Sequence, residues 1–339
     1  MDSSKIRFGV IGSGRIGKVH IENLVNRISD SEVVALAEVV QTEREKIAQL
    51  YHIPKTSGNH SEIIGQSDVD AIVICSPTDT HYPIILEAAA SGKHIFCEKP
   101  LDLSIKKIKE INDAVKKAGV KLMVAFNRRY DPNFFKVHEI TKAGKIGDPH
   151  LLRITSRDPA PPPEEYIRSS GGLFLDMTIH DFDMARYLID SPVTEVYAQG
   201  RVLVDPVFEK AGDIDTAVVV LSYENGAMAT IDNSREAVYG YDQRVEVFGS
   251  EGMVTVTNNT PDNHIYLNRD GVHTALPLNF FMERYTESYL GEMQAFIQSL
   301  LEDTEPPVTG EDGLKAVQMG LAANKSLKEG RPVKLEEIS

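Results

Sequence analysis

The sequence predicts a two-domain α/β protein: a doubly wound parallel sheet, then an α+β domain with a large open, mostly antiparallel sheet. Three observations carry this. From Lys5 to Phe126, runs that are apolar throughout alternate with segments whose apolar residues recur every three or four positions. That is the pattern of strands buried on both faces and of the helices covering them. From Val193 to Tyr266, alternating strand-like segments follow one another with Gly, Asn and Asp turns and no helix between, as in antiparallel sheets. The length of 339 residues exceeds one hydrophobic core and suits two domains. The boundary is expected at 127/128, giving domains 1–127 and 128–339, with the last helices able to pack back on the first.

In the first domain the strands are expected at 6–11, 32–37, 70–75, 93–97 and 121–126, and the helices at 15–27, 41–51, 80–91 and 103–118, with a short helix at 59–66. Beyond Arg128 a helix is expected at 132–143, a strand at 149–156, the proline loop Asp158–Pro163, and a helix from Phe174 to Ile189. The open sheet draws on 194–204, 214–222, 227–235, 242–248, 252–256 and 263–267, and helices at 280–302 and 311–329 close the chain. A sheet with one face covered by helices must bury the other, so self-association into a dimer or homotetramer through that face is expected.

The first strand ends in Gly12-x-Gly14-x-x-Gly17. A strand that turns sharply at Gly12 and starts a helix points free N–H groups at whatever lies in front. Gly14 lets a pyrophosphate approach, and Gly17 lets helix and strand pack closely. Glu38, 21 positions past Gly17 and just after the second apolar run, is placed to accept hydrogen bonds from an adenosine ribose. The expected ligand is NAD: a carboxylate there repels a 2′-phosphate, and Val39-Val40-Gln41 supply no cation, Arg44 being the nearest. Ser13, Arg15 and Ile16 fill the same turn.

Formal charge is −14 without a basic block, which argues against nucleic acid and anionic membranes. The N-terminus lacks a secretory leader and no run of 18 apolar residues occurs, so a cytoplasmic protein is expected. Cys75 and Cys97 lie in apolar runs and read as buried free thiols.

Ligands of doubly wound sheets bind beyond the carboxyl ends of the strands. There the chain carries Ser76-Pro77-Thr78 with His81, Glu98-Lys99-Pro100 and Asn127-Arg128-Arg129. A lysine directly after a buried strand can hold its ammonium near a substrate oxygen and favour alkoxide character. In the second domain Asp176 and His180, four apart on an expected helix, would share one face as an orienting carboxylate and a base. No third ligand of fitting spacing supports a metal. Asp181 and Asp183 read as structural.

With these residues in view, the chain resembles the glucose–fructose oxidoreductase / inositol dehydrogenase (Gfo/Idh/MocA) family, over essentially its whole length. The resemblance rests on Gly12-Ser-Gly-Arg-Ile-Gly17, Glu98-Lys-Pro100 and Asp176-x-x-x-His180. Phe126–Asp131, Ser156–Pro163, Gly171–Arg186 and Tyr239–Asp242 are most similar to bacterial inositol 2-dehydrogenases. The resemblance implies a Rossmann domain binding NAD through the glycine turn, Glu38, Ser76, Thr78, His81, Glu98 and Lys99. It implies catalysis by Lys99, Asp176 and His180, and a cis Lys99–Pro100 bond. A polyol pocket lined also by Asn127, Arg128, Asp158 and Tyr239 follows from the same comparison. At 156 and 158, where some inositol dehydrogenases have His and Asn, this chain has Ser and Asp. The implied reaction is oxidation of a secondary ring alcohol, myo-inositol to its 2-ketone. The alternatives are another inositol isomer or sugar, and a non-catalytic NAD-binding regulator, which would be expected to lack the Lys99/His180 pair.

Overall fold

The computed structural model describes residues 5–339. β1 (Ile6–Ile11) turns into α1 (Arg15–Glu22), which runs on as a π-helical turn over Asn23–Arg27. β2 (Ser31–Ala37), α2 (Gln41–Tyr51), β3 (Lys55–Ser57), α3 (His60–Ile64) and β4 (Ala71–Ile74) follow. Then come α4 (Thr78–Ala90), β5 (His94–Cys97), α5 (Ile105–Ala118) and β6 (Leu122–Val124). The six strands form one parallel sheet in the order β3-β2-β1-β4-β5-β6. Val10 pairs with Leu36 on one side and Val73 on the other, and all three are buried. The order reverses between β1 and β4, so their carboxyl ends form the switch point where this architecture places ligands.

A short helical turn at Asn127–Tyr130 leads to α6 (Pro132–Lys142), capped by Asp131, whose side chain accepts from the Asn133 and Phe134 N–H groups. β7 (Pro149–Arg157), α7 (Glu164–Ser169), α8 (Leu173–Asp176) and α9 (Thr178–Ile189) come next. Then follow β8 (Val193–Arg201), α10 (Pro206–Ala211), β9 (Thr216–Tyr223), β10 (Met228–Ser234), β11 (Asp242–Gly249) and β12 (Met253–Val256). β13 (Ile265–Asn268), β14 (Gly271–Thr274), α11 (Phe281–Arg284), α12 (Thr286–Leu301), α13 (Gly310–Glu329) and β15 (Val333–Lys334) complete the chain. The second sheet runs β12-β11-β7-β10-β9-β8-β15, antiparallel except for the β7/β10 pair.

One face of this sheet carries Leu152, Ile154, Ala229, Ile231, Val219 and Val245, all buried. On the other, the register lines up Met253, Phe248, Leu151 and Met228 across four strands. Three of these are open, at 51%, 44% and 50% exposure for Met253, Phe248 and Met228. The chain divides into two compact units: one up to Tyr130 with Glu287–Val317, the other Asp131–Thr286 with Gln318–Ser339. Among the described residues no helix is long and apolar enough to cross a membrane.

The structure departs from the sequence reading where local pattern is weak. β3 is a three-residue polar edge strand, held by its backbone pairing to Ala35–Ala37. The segment expected at 263–267 does not join the large sheet but pairs with β14 in a separate exposed hairpin. The helix expected at 174–189 breaks at Met177, and that at 280–302 breaks at Tyr285, where ψ reaches 21°. The six-residue helices α7 and α10 fall in stretches read as loops.

Candidate active site

The glycine turn is built by backbone crowding on one side and open space on the other. Gly12 has φ +90°, and a Cβ there would lie 2.8 Å from the Cys75 carbonyl and the Ser76 nitrogen. The ends of β1 and β4 thus meet backbone to backbone. A Cβ on Gly17 would fall 2.1 Å from the Gly12 oxygen, so only glycine lets α1 seat on β1. At Gly14 a Cβ would meet nothing within 4 Å, and no side chain caps the first turn of α1. Free helix N–H groups facing open space are the arrangement a pyrophosphate requires. Arg15 is exposed and Ile16 half-buried beside it.

Glu38 follows β2 and is held in place. One oxygen accepts from the Ser13 N–H at 2.8 Å and its hydroxyl at 3.0 Å, the other from the Val40 N–H at 3.0 Å. Burial works against the charge, yet the donors at Val40 and Ser13 keep the carboxyl below its usual range. An ionised, anchored carboxylate beside the glycine turn fits the ribose of NAD. Arg44 donates to the Glu38 carbonyl at 2.6 Å.

After β4, the Ser76 and Thr80 hydroxyls are 2.6 Å apart and Thr78 begins α4. His81 is buried, with its ring nitrogens 2.8 Å from the carbonyls of Ser76 and Pro100. The structure therefore makes His81 a brace between two strand-end loops, not a group facing a ligand. The Glu98 carboxylate likewise turns inward, to His20 at 3.0 Å. Lys99, half-buried, follows it, and the Lys99–Pro100 bond is cis. Asn127 and Arg128 lie buried after β6.

In the second unit, His180 is the one residue from Leu173 to Ala185 that is not fully buried. A titratable ring is thereby presented at the edge of an otherwise enclosed stretch. The start of α9 is tied to β10: Thr178 donates to Asn233 at 2.7 Å, and Asn233 donates to Asp181 at 2.8 Å. Asp181 is buried and accepts from Asn233, which suits the structural role expected for it. Asp176 ends α8 and His180 lies in the first turn of α9, with Met177 between them in a right-handed helical conformation at φ −93° and ψ −58°. The Asp176 oxygens accept from the Tyr166 hydroxyl at 2.7 Å and from Arg235 at 2.8 Å.

Arg235 also donates to Asp158 at 3.1 Å. Burial opposes the Arg235 charge, but Asp176 and Asp158 together hold its pKa above the usual value. Arg235 and Tyr166 were missed by sequence reasoning. Arg235 continues the inward series Ala229, Ile231, Asn233, where a charge must find partners. Tyr239 is not part of this group: its hydroxyl donates to Asp242 at 2.6 Å and accepts from Arg157 at 3.1 Å. Ser156 is buried against Gln243 at 3.1 Å.

Comparison with known proteins covers both parts of the chain. Residues 6–126 match the oxidoreductase family NAD-binding Rossmann fold, and residues 134–255 match the GFO/IDH/MocA C-terminal domain. A myo-inositol 2-dehydrogenase of Thermotoga maritima is 49% identical over 98% of this chain and 99% of its own. The crystal structure of a probable dehydrogenase from the same organism aligns with TM-score 0.97 and 49% identity, covering 98% of this chain and 100% of that one. A scyllo-inositol dehydrogenase from Lactobacillus casei, solved with NAD(H) and scyllo-inositol, aligns with TM-score 0.91 at 30% identity, over 98% and 100% of the two chains.

Proposed function

Because the chain belongs to the GFO/IDH/MocA family of NAD-binding oxidoreductases, we propose that it oxidises a secondary ring alcohol of an inositol, myo-inositol to its 2-ketone. The observation that carries this is the 49% identity, nearly end to end, with a myo-inositol 2-dehydrogenase. Scyllo-inositol is the second reading, favoured by the relative solved with that polyol.

In this reading residues 1–127 hold NAD, with the pyrophosphate at the turn Gly12–Ile16 and the ribose on Glu38. Residues 128–339 hold the polyol and make the oligomer contacts. Bound NAD supplies the acceptor for the electron pair leaving the carbinol carbon. His180 takes the hydroxyl proton, near neutrality being where an imidazole exchanges one. Asp176 is the fixed carboxylate of the pair, and the Lys99 ammonium favours negative charge on the same oxygen. Asn127, Arg128 and Asp158 are the further residues assigned to the polyol in this reading. The exposed row Met253, Phe248, Leu151, Met228 supports self-association of the second sheet into a homotetramer or dimer, in a cytoplasmic setting.

The test is NAD reduction, followed by absorbance, with myo-, scyllo- and chiro-inositol and with glucose. The highest kcat/KM is expected for myo-inositol. Tight NAD binding with no polyol oxidised would refute the reading in favour of a regulator.

A further inference from the structure

Behind the carboxyl end of β5 lies a polar cluster that the proposed reaction does not use. His20, on the inner side of α1, is fully buried between the rings of Phe96 and Tyr289, whose centroids lie 5.1 and 5.8 Å away, both edge-on. Its Nε2 lies 3.0 Å from Glu98 Oε1 and 3.9 Å from Glu292 Oε1. Glu292 comes from α12, has no exposed surface, and neither of its oxygens has a hydrogen-bond partner. The three groups place a ligating atom each within 4.8 Å of the others.

Two carboxylates this close, walled by aromatic rings, cannot both be ionised without water or a cation. His20 already serves Glu98 with its Nε2, so Glu292 is the member left without a donor. We infer that Glu292 holds a proton, and that His20 and Glu292 are positioning residues that fix the Glu98 side chain and, through it, the backbone from which Lys99 departs. Burial and the neighbouring Glu98 push the Glu292 carboxyl well above the usual carboxylate range. Other titratable groups nearby are Tyr289, one turn earlier on α12, and Cys75 after β4 and Cys97 on β5, whose thiols burial also pushes up and keeps neutral. The Glu98 N–H is bonded to the Ile74 carbonyl at 2.9 Å. Backbone and side chain of the residue before Lys99 are therefore both pinned, one to the sheet and one to α1.

The link to turnover rests on the catalytic role proposed for Lys99, whereas the protonation of Glu292 does not. Infrared difference spectra of wild type against Glu292→Gln at neutral pH test the second point. The carbonyl band of an un-ionised carboxylic acid should vanish in the variant, whose neutral side chain has the same shape. A change in carboxylate bands alone would overturn the inference. So would failure of Glu292→Gln to fold, or a stoichiometric divalent metal present in wild type and lost in the variant.

For turnover, His20→Phe keeps ring volume and removes the donor to Glu98. It should lower kcat about 10- to 100-fold, as small misplacements of a reacting group do, with the NAD Kd and polyol KM within about threefold. His20→Gln, which keeps a donor, should recover most of the loss. Unchanged kcat in a folded His20→Phe protein would overturn the positioning role, and if that variant does not fold the infrared comparison decides. Lys99→Ala, measured alongside, separates the two readings. If it retains turnover, the role of Lys99 fails while the protonation result stands.

Discussion

Two glycines three positions apart should respond to the same substitution in opposite ways. At Gly14 the backbone sits at φ −64° and ψ −164°, which alanine adopts freely, and the added methyl meets no atom within 4 Å. Alanine is a poorer N-cap than glycine, by about 0.5–1 kcal/mol. It also restricts the unfolded chain, which stabilises by about 0.4–1 kcal/mol. The two offset, so Tm of Gly14→Ala should stay within about 2 °C of wild type. At Gly17 the methyl would sit 2.1 Å from a backbone oxygen where ordinary contact begins at 3.4 Å, so the two must part by 3.4 − 2.1 = 1.3 Å. Neither side can rotate away, and overpacking of this kind costs about 1–3 kcal/mol or more.

Binding reverses the ranking. If Gly14 faces the pyrophosphate, its methyl should weaken NAD by at least about tenfold, or ~1.4 kcal/mol. At a concentration 100 times the wild-type Kd, NAD adds about 2.7 kcal/mol to stability. A tenfold weaker variant keeps about half of that, so its NAD-induced Tm rise should be about half the wild-type rise. Calorimetric titration and thermal melts with and without NAD measure both quantities. Gly14→Ala that melts early but binds NAD normally would show that the open space at this turn is not the coenzyme site.

Glu38→Ser removes a charge beside the ribose site while leaving Arg44 nearby, and should shift the kcat/KM ratio toward NADP by at least about tenfold; an unchanged ratio would remove Glu38 from coenzyme selection. Lys99→Ala and His180→Ala should each lower kcat by about two decades or more, with little effect on NAD affinity; near-normal turnover in either would show a misassigned role. Arg235→Leu strands two acids in a buried setting and should cost about 3–5 kcal/mol in denaturant unfolding. A loss under about 1 kcal/mol would mean that the pair with Asp176 and Asp158 contributes little. Met228→Glu with Phe248→Glu should reduce the oligomer seen by sedimentation, whereas an unaltered assembly would exclude this sheet face.

How much of this was legible in the sequence follows from how local the cause is. β1, β2, β4 and β5 were readable because strands covered on both faces must be apolar throughout. The glycine turn was readable because crowding at Gly12 and Gly17 admits no other residue. β3 escaped because a polar edge strand is specified by its neighbour's backbone, not by its own side chains. The breaks at Met177 and Tyr285 escaped because the hydrophobic spacing runs through them. His81 and Glu98 sit where ligands are expected, yet the side chains of both also brace the domain from within. Residue type there reveals that something polar is needed, not which way it faces. The Tyr239 hydroxyl meets Asp242 and Arg157, partners that its own position does not announce.

Asp176 and the first turn of α9, which carries His180, are each anchored to the sheet on either side of Met177. On one continuous helix, a four-residue spacing would set their separation by itself. Met177 keeps right-handed helical angles, φ −93° and ψ −58°, and the sheet adds two ties. Asn233 of β10 fixes the first turn of α9 through Thr178 and Asp181, and Arg235, two residues further, holds the Asp176 carboxylate at the end of α8. β10 ends at Ser234, so Asn233 lies on the strand and Arg235 just beyond it, both buried. The amide and the guanidinium thus reinforce a placement that the four-residue spacing already favours. It also follows that Asp176, with a donor on each oxygen, is held as an acceptor, and in the proposed reaction the proton is therefore assigned to His180.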